Sequence, residues 1–403
     1  MSAPAEGEEA GWTGSEANDE TGEATPNRNQ PGNQHGNPNR APAEARSAIA
    51  GASGYESTAT IAEMALRLGD AASVVVLSHA KPDGDAVGSI AALTLALRAR
   101  GAAVEPLLMG PVEPVLLRGA APMEFRILER DGAPAFEPDA IVVVDTGAWS
   151  QLEPISAWLR SRSDRTLGID HHVRGDVAAP GAATPGPVAA AGRLVEPGCA
   201  ATTQLLLPVI DAMGVPITAE IATALFMGLA TDTGWFRFPN ADAAVFEVAS
   251  RLLAAGARKN FLFESLELNS RPARLALTGR ALRSIEYLAE GRAALMQVRL
   301  DDFAECGGGP EDIGGLVNEP MVVGRVRLSA LLSQPDSGVV RLSLRSKELP
   351  EGSASEGELR EIDVNQLAAT FGGGGHRRAA GAKLAMPFDA AISAVRAAIA
   401  AAF

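Results

Sequence analysis

The sequence predicts an α/β fold in which a parallel sheet flanked by helices is followed by a smaller α+β domain. Two β-branched runs, Val74–Leu77 and Ile141–Val144, alternate with helix-length amphipathic segments, a pattern typical of buried parallel strands. After about residue 291 the hydrophobic period shortens again, as in Ala293–Val298 and Val339–Leu344, which indicates a second set of strands. A chain of 403 residues can bury two separate cores.

Composition divides the chain further. A weaker strand is predicted to end at Leu167–Ile169, and a helical pattern resumes at Thr202. The N-terminal segment is rich in Gly, Pro, Asn and Glu and almost lacks large aliphatic side chains, so it is not expected to fold. The predicted segments are a disordered acidic tail (1–46), a first domain (47–245), a helical linker (246–290) and a second domain (291–403).

Charge and cysteine content narrow the function classes. The net charge of −14 argues against tight binding of long or duplex nucleic acid, which requires a broad basic surface. Cys199 and Cys306 are far apart and form no CxxC pair, so we expect neither a disulfide framework nor a thiolate zinc site. The sequence shows neither a secretory signal pattern nor an apolar run long enough to span a membrane. We therefore expect a cytoplasmic protein.

The first polar motif follows the run 74–77 directly and reads SHAKPDGDAVGS from Ser78. His79, Asp83 and Asp85 can converge there, because Pro82 and a glycine bend the chain before a helix that begins near Asp85. A strand-to-helix turn with one aspartate as the helix cap is the structural alternative. It explains one carboxylate and leaves the histidine and the second aspartate without a role.

Three further motifs follow apolar segments. Asp145 ends the run 141–144, Asp170-His171-His172 follows the third strand, and Asp232 follows the helical run 221–229. Each aspartate taken alone could be only a helix cap or a turn residue. Adjacent side chains in extended structure point to opposite faces, so His171 and His172 are expected to do different jobs.

Taken together, these groups predict a metal site. Carboxylates and imidazoles without thiolates suit Mn²⁺, Mg²⁺ or Fe²⁺. Their number exceeds the needs of one ion, and two cations about 3.5–4 Å apart are usual in phosphoryl hydrolysis. We therefore predict a phosphoesterase that binds two divalent cations. Mn²⁺ is the expected ion, and Mg²⁺ is the alternative.

With these motifs in place, the chain resembles the DHH phosphoesterase superfamily, whose name is spelled by Asp170-His171-His172. It is most similar to the bifunctional oligoribonuclease and pAp phosphatase group, in which a DHH domain precedes a DHHA1 substrate-binding domain. The resemblance implies that His172 lies beside the scissile phosphate and that Asp170 orients the site, so these two are the predicted catalytic residues. It implies six metal ligands, with Asp145 bridging both cations: His79, Asp83, Asp85, Asp145, His171 and Asp232.

A glycine run, Gly372 to Gly375, precedes His376-Arg377-Arg378 in the second domain. Such a run permits close backbone approach and an anion-binding nest of N–H groups, with a flexible linker as the alternative. Arg345 and Ser346 lie on a predicted strand, where a solvated edge is the alternative. The resemblance assigns to the substrate the residues Arg345, Ser346, Gly373, Gly374, Gly375 and His376, and Asn318 is a further candidate.

The resemblance implies hydrolysis of short oligoribonucleotides, linear dinucleotides and 3′-phosphoadenosine 5′-phosphate (pAp). We expect the linker to let the second domain close over the metal centre. The alternatives are an inorganic pyrophosphatase or polyphosphatase of the same superfamily and a catalytically silent nucleotide sensor. A homodimer is left open. Gln204, where the family often carries a glutamate, and the long segments 176–192 and 348–361 leave the substrate preference open.

Overall fold

The computed structural model describes residues 55–134, 136–175, 192–347 and 362–403. The predicted tail 1–46 lies outside these residues, as do the segment 348–361 and nearly all of the predicted loop 176–192. Gly192, which the sequence analysis places in that loop, is instead the first residue of a strand.

The first part of the chain forms a six-stranded sheet. Its strands are β1 (Ser73–Ala80), β2 (Ala103–Met109), β3 (Arg126–Ile127), β4 (Ala140–Val144), β5 (Thr166–Asp170) and β6 (Gly192–Val195). All neighbours are parallel and lie in the order β3-β2-β1-β4-β5-β6. The strand order reverses between β1 and β4, and in open α/β sheets a ligand crevice forms at such a point. The predicted α/β fold with a parallel sheet is confirmed.

Helices cover both faces of this sheet. They are α1 (Ile61–Asp70), α2 (Gly84–Ala99), α3 (Pro114–Gly119), α4 (Leu128–Asp131), α5 (Ser156–Arg160), α6 (Thr202–Ala212), α7 (Ala219–Asp232), α8 (Ala243–Ala254) and α9 (Lys259–Leu266), with 3₁₀ turns at Trp149–Gln151, Glu153–Ile155 and Ser163–Arg165. Alternate residues of β1 enter different cores: Val74 and Val76 pack beneath α2, α6 and α7, and Val75 and Leu77 pack on the opposite face. This double burial explains the unbroken apolar run.

The second part of the chain forms another six-stranded sheet, which is mixed. Its elements are α10 (Pro272–Arg283), β7 (Glu286–Leu288), β8 (Ala293–Val298), α11 (Leu300–Cys306), β9 (Leu328–Asp336), β10 (Val339–Ser346), α12 (Val364–Ala369), β11 (Gly374–His376), β12 (Ala379–Leu384) and α13 (Phe388–Ala402), with 3₁₀ turns at Ala289–Gly291, Pro310–Ile313 and Leu316–Val322. The order is β11-β12-β10-β9-β8-β7, and only β8 and β9 pair in parallel.

The segment 246–290 is divided between the two cores. Leu252 of α8 and Leu262 of α9 are buried in the first core, whereas Leu277 of α10 is buried against the second sheet. The connection between the cores is therefore the short stretch 267–271. No helix in the described part of the chain combines the length and the apolar character that crossing a membrane requires.

Candidate active site

His79 lies near the carboxyl end of β1, at the reversal of strand order. Its side chain is 11% exposed, and its Nε2 lies 3.6 Å from Oδ2 of Asp145. The other ring nitrogen, Nδ1, lies 3.1 Å from the carbonyl oxygen of Ala80. An Nδ1–H donated to that carbonyl leaves the Nε2 lone pair available to a metal. Lys81, with φ of 60°, then turns the chain towards α2.

Asp83 and Asp85 serve different purposes. Asp83 is exposed and is the N-cap of α2, where its Oδ1 accepts the backbone N–H groups of Asp85 and Ala86 at 3.1 Å. The helix-cap role, which was the structural alternative for this motif, therefore accounts for one oxygen of Asp83. Asp85 is fully buried and accepts from the start of α6: its Oδ2 from Thr202 N at 2.6 Å and its Oδ1 from Thr203 N at 3.0 Å.

This buried carboxylate explains how α6 can begin at a residue without a capping side chain. The N-cap of α6 is Ala201, which carries no side-chain oxygen. Asp85 supplies the acceptor from α2 and also accepts the hydroxyl of Thr203 at 2.8 Å. Gly228 of α7 allows this approach, because a Cβ there would lie 2.3 Å from Oδ1 of Asp85. The position of Asp85 is thus fixed by two other helices.

Asp145 follows β4 directly and has φ of 61°, in the left-handed region. Its two oxygens face different partners. Oδ2 lies 3.6 Å from Nε2 of His79, and Oδ1 lies 3.5 Å from Nε2 of His171. The hydroxyl of Thr202 also donates to Oδ1, at 3.0 Å.

His171 turns Nε2 towards several carboxylates. Its Nδ1 lies 3.3 Å from the carbonyl oxygen of Cys199, while Nε2 lies 3.3 Å from Oδ2 of Asp232 and 4.0 Å from Oδ2 of Asp85. Burial lowers the pKa of His171 below its ordinary value. The neutral imidazole that results is the form that binds metals.

His172 has a different main partner from His171, but the two side chains do not point to opposite faces as expected, because β5 ends at Asp170 and their rings lie 4.6 Å apart. Half of its side chain is exposed, and its Nδ1 lies 2.7 Å from Oδ1 of the buried Asp170. Burial opposes the charged form of His172, but the hydrogen bond to Asp170 and the negative charges of Asp170, Asp232 and Asp85 together outweigh this effect and raise the pKa of the imidazole. Burial likewise opposes ionisation of Asp170, yet hydrogen bonds from His172 and Tyr55 hold the pKa of that carboxyl below its usual value.

Asp232 is the last residue of α7 and completes a crowded group of carboxylates. Burial, together with repulsion from Asp85 and Asp83, raises the pKa of Asp232 to about 8. Burial and the same two carboxylates also raise the pKa of Asp145 well above its ordinary value. The protein therefore gathers negative charge where burial disfavours it, a situation that a bound cation relieves.

The ligand atoms form groups that could each hold a metal ion. One group is His79, Asp83 and Asp145; another is Asp85, His171 and Asp232; in a third, Asp145 and His171 are joined by His172. Within each group the ligand atoms lie within 4.8 Å of one another. All six predicted metal ligands thus meet in space, and the acidic and imidazole side chains are placed for metal binding.

In the second sheet, Arg345 and Ser346 end β10. Arg345 is paired with Ala379 of β12, which is paired in turn with His376 of β11, so the three positions form one row across the sheet. Arg345 is half-buried, and burial lowers the pKa of its guanidinium. The hydroxyl of Ser346 is buried without a hydrogen-bond partner among the described residues. Asn318 is exposed in the 3₁₀ turn 316–322, which packs against β9 and β10.

The glycine run does not form the predicted anion nest. The N–H groups of Gly372 and Gly373 donate to carbonyls of α12 at 3.0 Å, and that of Gly375 donates to Oδ1 of Asn365 at 2.9 Å. The run instead leads into strand β11, pressed against β12. A Cβ at residue 373 would lie 2.2 Å from the carbonyl oxygen of Gly381, so the glycines permit close strand packing.

Comparison with known proteins identifies the family. The model of the DHH family, N-terminal domain, matches residues 73–229. The bifunctional oligoribonuclease and PAP phosphatase NrnA of Thermus thermophilus is 30% identical over 316 residues, which cover 77% of this chain and 84% of that protein. The chain belongs to the DHH family. It falls in the group of these bifunctional enzymes and is a hydrolase that acts on phosphoester bonds.

Other members of the group match over similar lengths. The NrnA of Bacillus subtilis is 23% identical over 320 residues, 77% of this chain and 89% of that protein. Among solved structures, an exopolyphosphatase-related protein from Bacteroides fragilis aligns with a TM-score of 0.71 and 23% identity, covering 84% of this chain and 95% of that chain. The structural likeness establishes that the DHH chain shares this two-part fold.

The structure adds residues to the DHH site that the motifs do not reveal. Thr202 and Thr203 hold Asp145 and Asp85, the carbonyl of Cys199 faces His171, and the hydroxyl of Tyr55 donates to Asp170 at 2.8 Å. The threonines follow an Ala-Ala pair at the start of a helix, which is the only local signal. The contact of a backbone carbonyl with His171 cannot be predicted from residue types, because every residue has a carbonyl.

Proposed function

We propose that this DHH protein hydrolyses short oligoribonucleotides, linear dinucleotides and pAp at a centre of two divalent cations. The observation that carries the proposal is the placement of Asp145 between two groups of ligands, with one oxygen towards His79 and the other towards His171. A carboxylate in that position can bind both cations of a two-metal centre, one with each oxygen. The substrate classes come from the names of the relatives, an oligoribonuclease and PAP phosphatase.

The residues present fit such a centre. His79, Asp83 and Asp145 would hold one cation, and Asp85, His171 and Asp232, with Asp145 shared, would hold the other. The donors are oxygens and imidazole nitrogens, which suit Mn²⁺ and, as the alternative, Mg²⁺. When bound, such a pair supplies an activated water molecule and neutralises charge on the phosphate.

The side chains of the protein itself position the substrate and handle protons. His172 is half exposed and held at Nδ1 by Asp170, so its Nε2 is free to meet a phosphate oxygen or a leaving group. In the second domain, Arg345, Ser346 and the row that ends at His376 would hold the nucleotide, with Gly373, Gly374 and Gly375 letting the chain pass closely. Asn318 is a further candidate. In this proposal the second domain closes over the metal centre when the nucleotide is bound.

The acidic character of the protein supports a small substrate. A net charge of −14 does not favour the long basic track that extended or duplex nucleic acid requires. Recognition through phosphate contacts and stacking would tolerate different bases. From the sequence, in which both cysteines are expected to stay reduced, we place the enzyme in the cytoplasm. A homodimer is compatible with the proposal.

The decisive experiment is a hydrolysis panel read by product analysis. Wild-type protein is supplied with Mn²⁺ and offered pAp, pApA, pGpG, a five-nucleotide RNA and pyrophosphate. We expect nucleoside monophosphates from the nucleotide substrates and no cleavage in excess chelator. Cleavage of pyrophosphate alone would instead favour the pyrophosphatase alternative.

A matched pair of variants separates the metal centre from general acidity. Asp232→Asn removes a ligand charge and should lower kcat at least about 100-fold. Asp164→Asn removes an equal charge from a side chain that is 72% exposed and should leave kcat unchanged. A wild-type protein that binds these nucleotides but cleaves none would support the silent sensor and contradict the proposal.

A further inference from the structure

The chain segment before the first helix is attached to the far edge of the DHH sheet. The N–H groups of Thr58 and Ala59 donate to the carbonyl oxygen of Arg193 at 2.8 and 3.0 Å. The hydroxyl of Ser57 donates to the carbonyl oxygen of Val195 and accepts from its N–H, both at 2.8 Å. Residues 57–59 therefore run along β6, which is the neighbour of the strand that carries the DHH motif.

This attachment places the side chain of Tyr55 in a narrow slot. The residue is 3% exposed. A Cβ on Gly147 would lie 2.1 Å from its hydroxyl, and a Cβ on Gly175 would lie 2.6 Å from its ring. The guanidinium of Arg193 stands 5.0 Å from the ring centre. The two glycines thus leave room for one aromatic ring, whose hydroxyl has a fixed direction.

The hydroxyl of Tyr55 is directed at the first residue of the DHH motif. It donates to Oδ2 of Asp170 at 2.8 Å, while Oδ1 of the same carboxylate lies 2.7 Å from Nδ1 of His172 and 3.2 Å from the backbone nitrogen of His172. An ionised carboxylate can only accept hydrogen bonds, so the proton between Asp170 and His172 belongs to Nδ1. The Nε2 atom of the imidazole then points away from Asp170.

We propose that Tyr55 is a positioning residue that acts on His172 through Asp170. The carboxylate of Asp170 is buried and has one oxygen for each partner, so its plane is set by both contacts together. Without the tyrosine hydroxyl, Oδ2 becomes a buried acceptor that has lost this donor, a condition that favours rotation of the carboxylate. Rotation moves Oδ1 and releases the imidazole from the orientation in which it meets the substrate.

The catalytic part of this inference rests on the proposed function, because it assigns His172 a role beside the phosphate. The contact itself does not depend on that role. Tyr55 lies outside the part of the chain that the DHH family model matches, residues 73–229, so the motif is oriented by a residue from beyond the matched region.

The test replaces one hydroxyl and leaves the ring in place. Tyr55→Phe keeps the packing between Gly147 and Gly175, and its matched control is Tyr287→Phe, since the chain has only these two tyrosines and Tyr287 is 52% exposed on β7. Thermal unfolding verifies that both variants fold. We expect kcat of Tyr55→Phe with Mn²⁺ and pAp to fall about tenfold while KM changes by less than about twofold, because the hydroxyl touches no substrate.

A second measurement reads the imidazole without using activity. Two-bond ¹H–¹⁵N correlation spectra of the metal-free protein, recorded over rising pH until the imidazole of His172 is neutral, report which of its ring nitrogens carries the proton, with the signals assigned by their loss in His172→Gln. We expect the Nδ1–H form in the wild type and in Tyr287→Phe, and a mixture with the Nε2–H form in Tyr55→Phe.

The two measurements separate this inference from the proposed function. An unchanged His172 spectrum in Tyr55→Phe overturns the positioning role whatever happens to kcat, and so does an unchanged kcat when the wild type is active. A wild type that cleaves nothing in the substrate panel refutes the proposed function, and the spectra then decide the role of Tyr55 by themselves.

Discussion

Asp85 and Asp145 illustrate two ways in which the fold holds a buried carboxylate. Asp85 accepts two backbone N–H groups and a hydroxyl at the start of α6, which compensates for the loss of water. Asp145 accepts one hydroxyl and otherwise faces histidine nitrogens and other carboxylates. Hydrogen bonds from the protein thus compensate the buried charge of Asp85, whereas the charge of Asp145 would be compensated by a bound cation.

We predict that Asp145→Asn abolishes hydrolysis and yet stabilises the metal-free protein. The amide oxygen still accepts from Thr202, and the neutral amide needs neither a buried charge beside Asp85 and Asp83 nor the uptake of a proton on folding. We expect the free energy of unfolding to rise by about 1 kcal/mol, or the melting temperature by about 2–4 °C, and kcat to fall at least about 100-fold. Melting in chelator and turnover in Mn²⁺ measure the two effects. A variant with wild-type turnover would remove the bridging role of Asp145.

We predict that the metal-free protein loses stability as pH rises towards 8. A carboxyl group with a raised pKa in the folded state contributes stability that is complete below its unfolded-state value and is lost as pH rises through the folded-state value. For Asp232 these values are 3.8 and about 8, and Asp145 acts in the same direction. The lowered pKa of His171 acts oppositely, but only below its ordinary value of 6.5.

In the upper half of that pH range His171 no longer opposes the carboxyl groups, whereas His172, whose pKa is raised, acts in the same direction as they do. Thermal unfolding in chelator between about pH 6.5 and 8.5 should show a falling melting temperature, with a shallower slope in Asp232→Asn. Adding Mn²⁺ at the upper end should raise the melting temperature again, because the ion binds only the folded state. A melting temperature that rises with pH over this range would contradict the charge arrangement.

At the scale of elements, the pair α2 and α7 brings the ligands together. Gly88 of α2 faces the carbonyl oxygen of Ala224, where a Cβ would lie only 2.6 Å away, and Gly228 of α7 faces Asp85. These glycines let the two helices approach closely. The N-terminus of α2 and the C-terminus of α7, which carry Asp85 and Asp232, therefore lie side by side.

We predict opposite effects for alanine at two helical glycines. Gly228→Ala places a methyl group 2.3 Å from Oδ1 of Asp85 and 2.5 Å from Cγ2 of Thr203, and neither side chain can easily move because they are hydrogen-bonded to each other. We expect a loss of about 1–3 kcal/mol and weaker Mn²⁺ binding. Gly279→Ala on α10 meets no other atom within 4 Å among the described residues and should stabilise the protein by up to about 1 kcal/mol.

Denaturant unfolding and Mn²⁺ titration by calorimetry test the two variants side by side. If Gly228→Ala bound Mn²⁺ as tightly as the wild type, the helix pair could not be what fixes Asp85. If Gly279→Ala were equally destabilised, the effect would belong to glycine in helices generally and not to this contact.

The elements that carry ligands could be predicted because buried parallel strands are unbroken apolar runs, and Asp145 and Asp170 stand where such runs end. Strand β2 contains Glu105 and Pro106, and β3 has only two residues, so neither shows that signal. The six metal ligands were predicted from motifs and family resemblance. Tyr55 was not, because nothing local relates it to a carboxylate 115 positions away.

The glycine run shows why local sequence can mislead. Four glycines permit a nest of free N–H groups as readily as a tightly packed strand. The contacts that decide between them come from Asn365 and from β12. Those partners are set by tertiary packing, and the run itself carries no trace of them.

At the scale of the whole molecule, the predicted metal ligands and the predicted substrate residues belong to different cores. The ligands lie on the first sheet and its helices, whereas Arg345 lies on β10 of the second sheet. Residues 267–271 connect the two cores, and Glu267 is tied to the first by accepting from Nε1 of Trp235 at 2.6 Å. If these residues have the proposed roles, we expect that substitutions can alter chemistry and substrate binding separately.

We predict that Arg345→Ala weakens nucleotide binding without damaging the metal centre. For pAp, KM should rise about tenfold or more, since a charge-assisted contact to phosphate is lost, while kcat stays near the wild-type value. Turnover of bis(p-nitrophenyl) phosphate, which offers no nucleotide to the second domain, should be unchanged. Lys383→Ala, on the exposed part of β12, removes an equal charge and should alter neither substrate. An equal loss of activity on both substrates would indicate that Arg345 supports the metal centre. An unchanged KM for pAp would show that Arg345 does not bind the substrate.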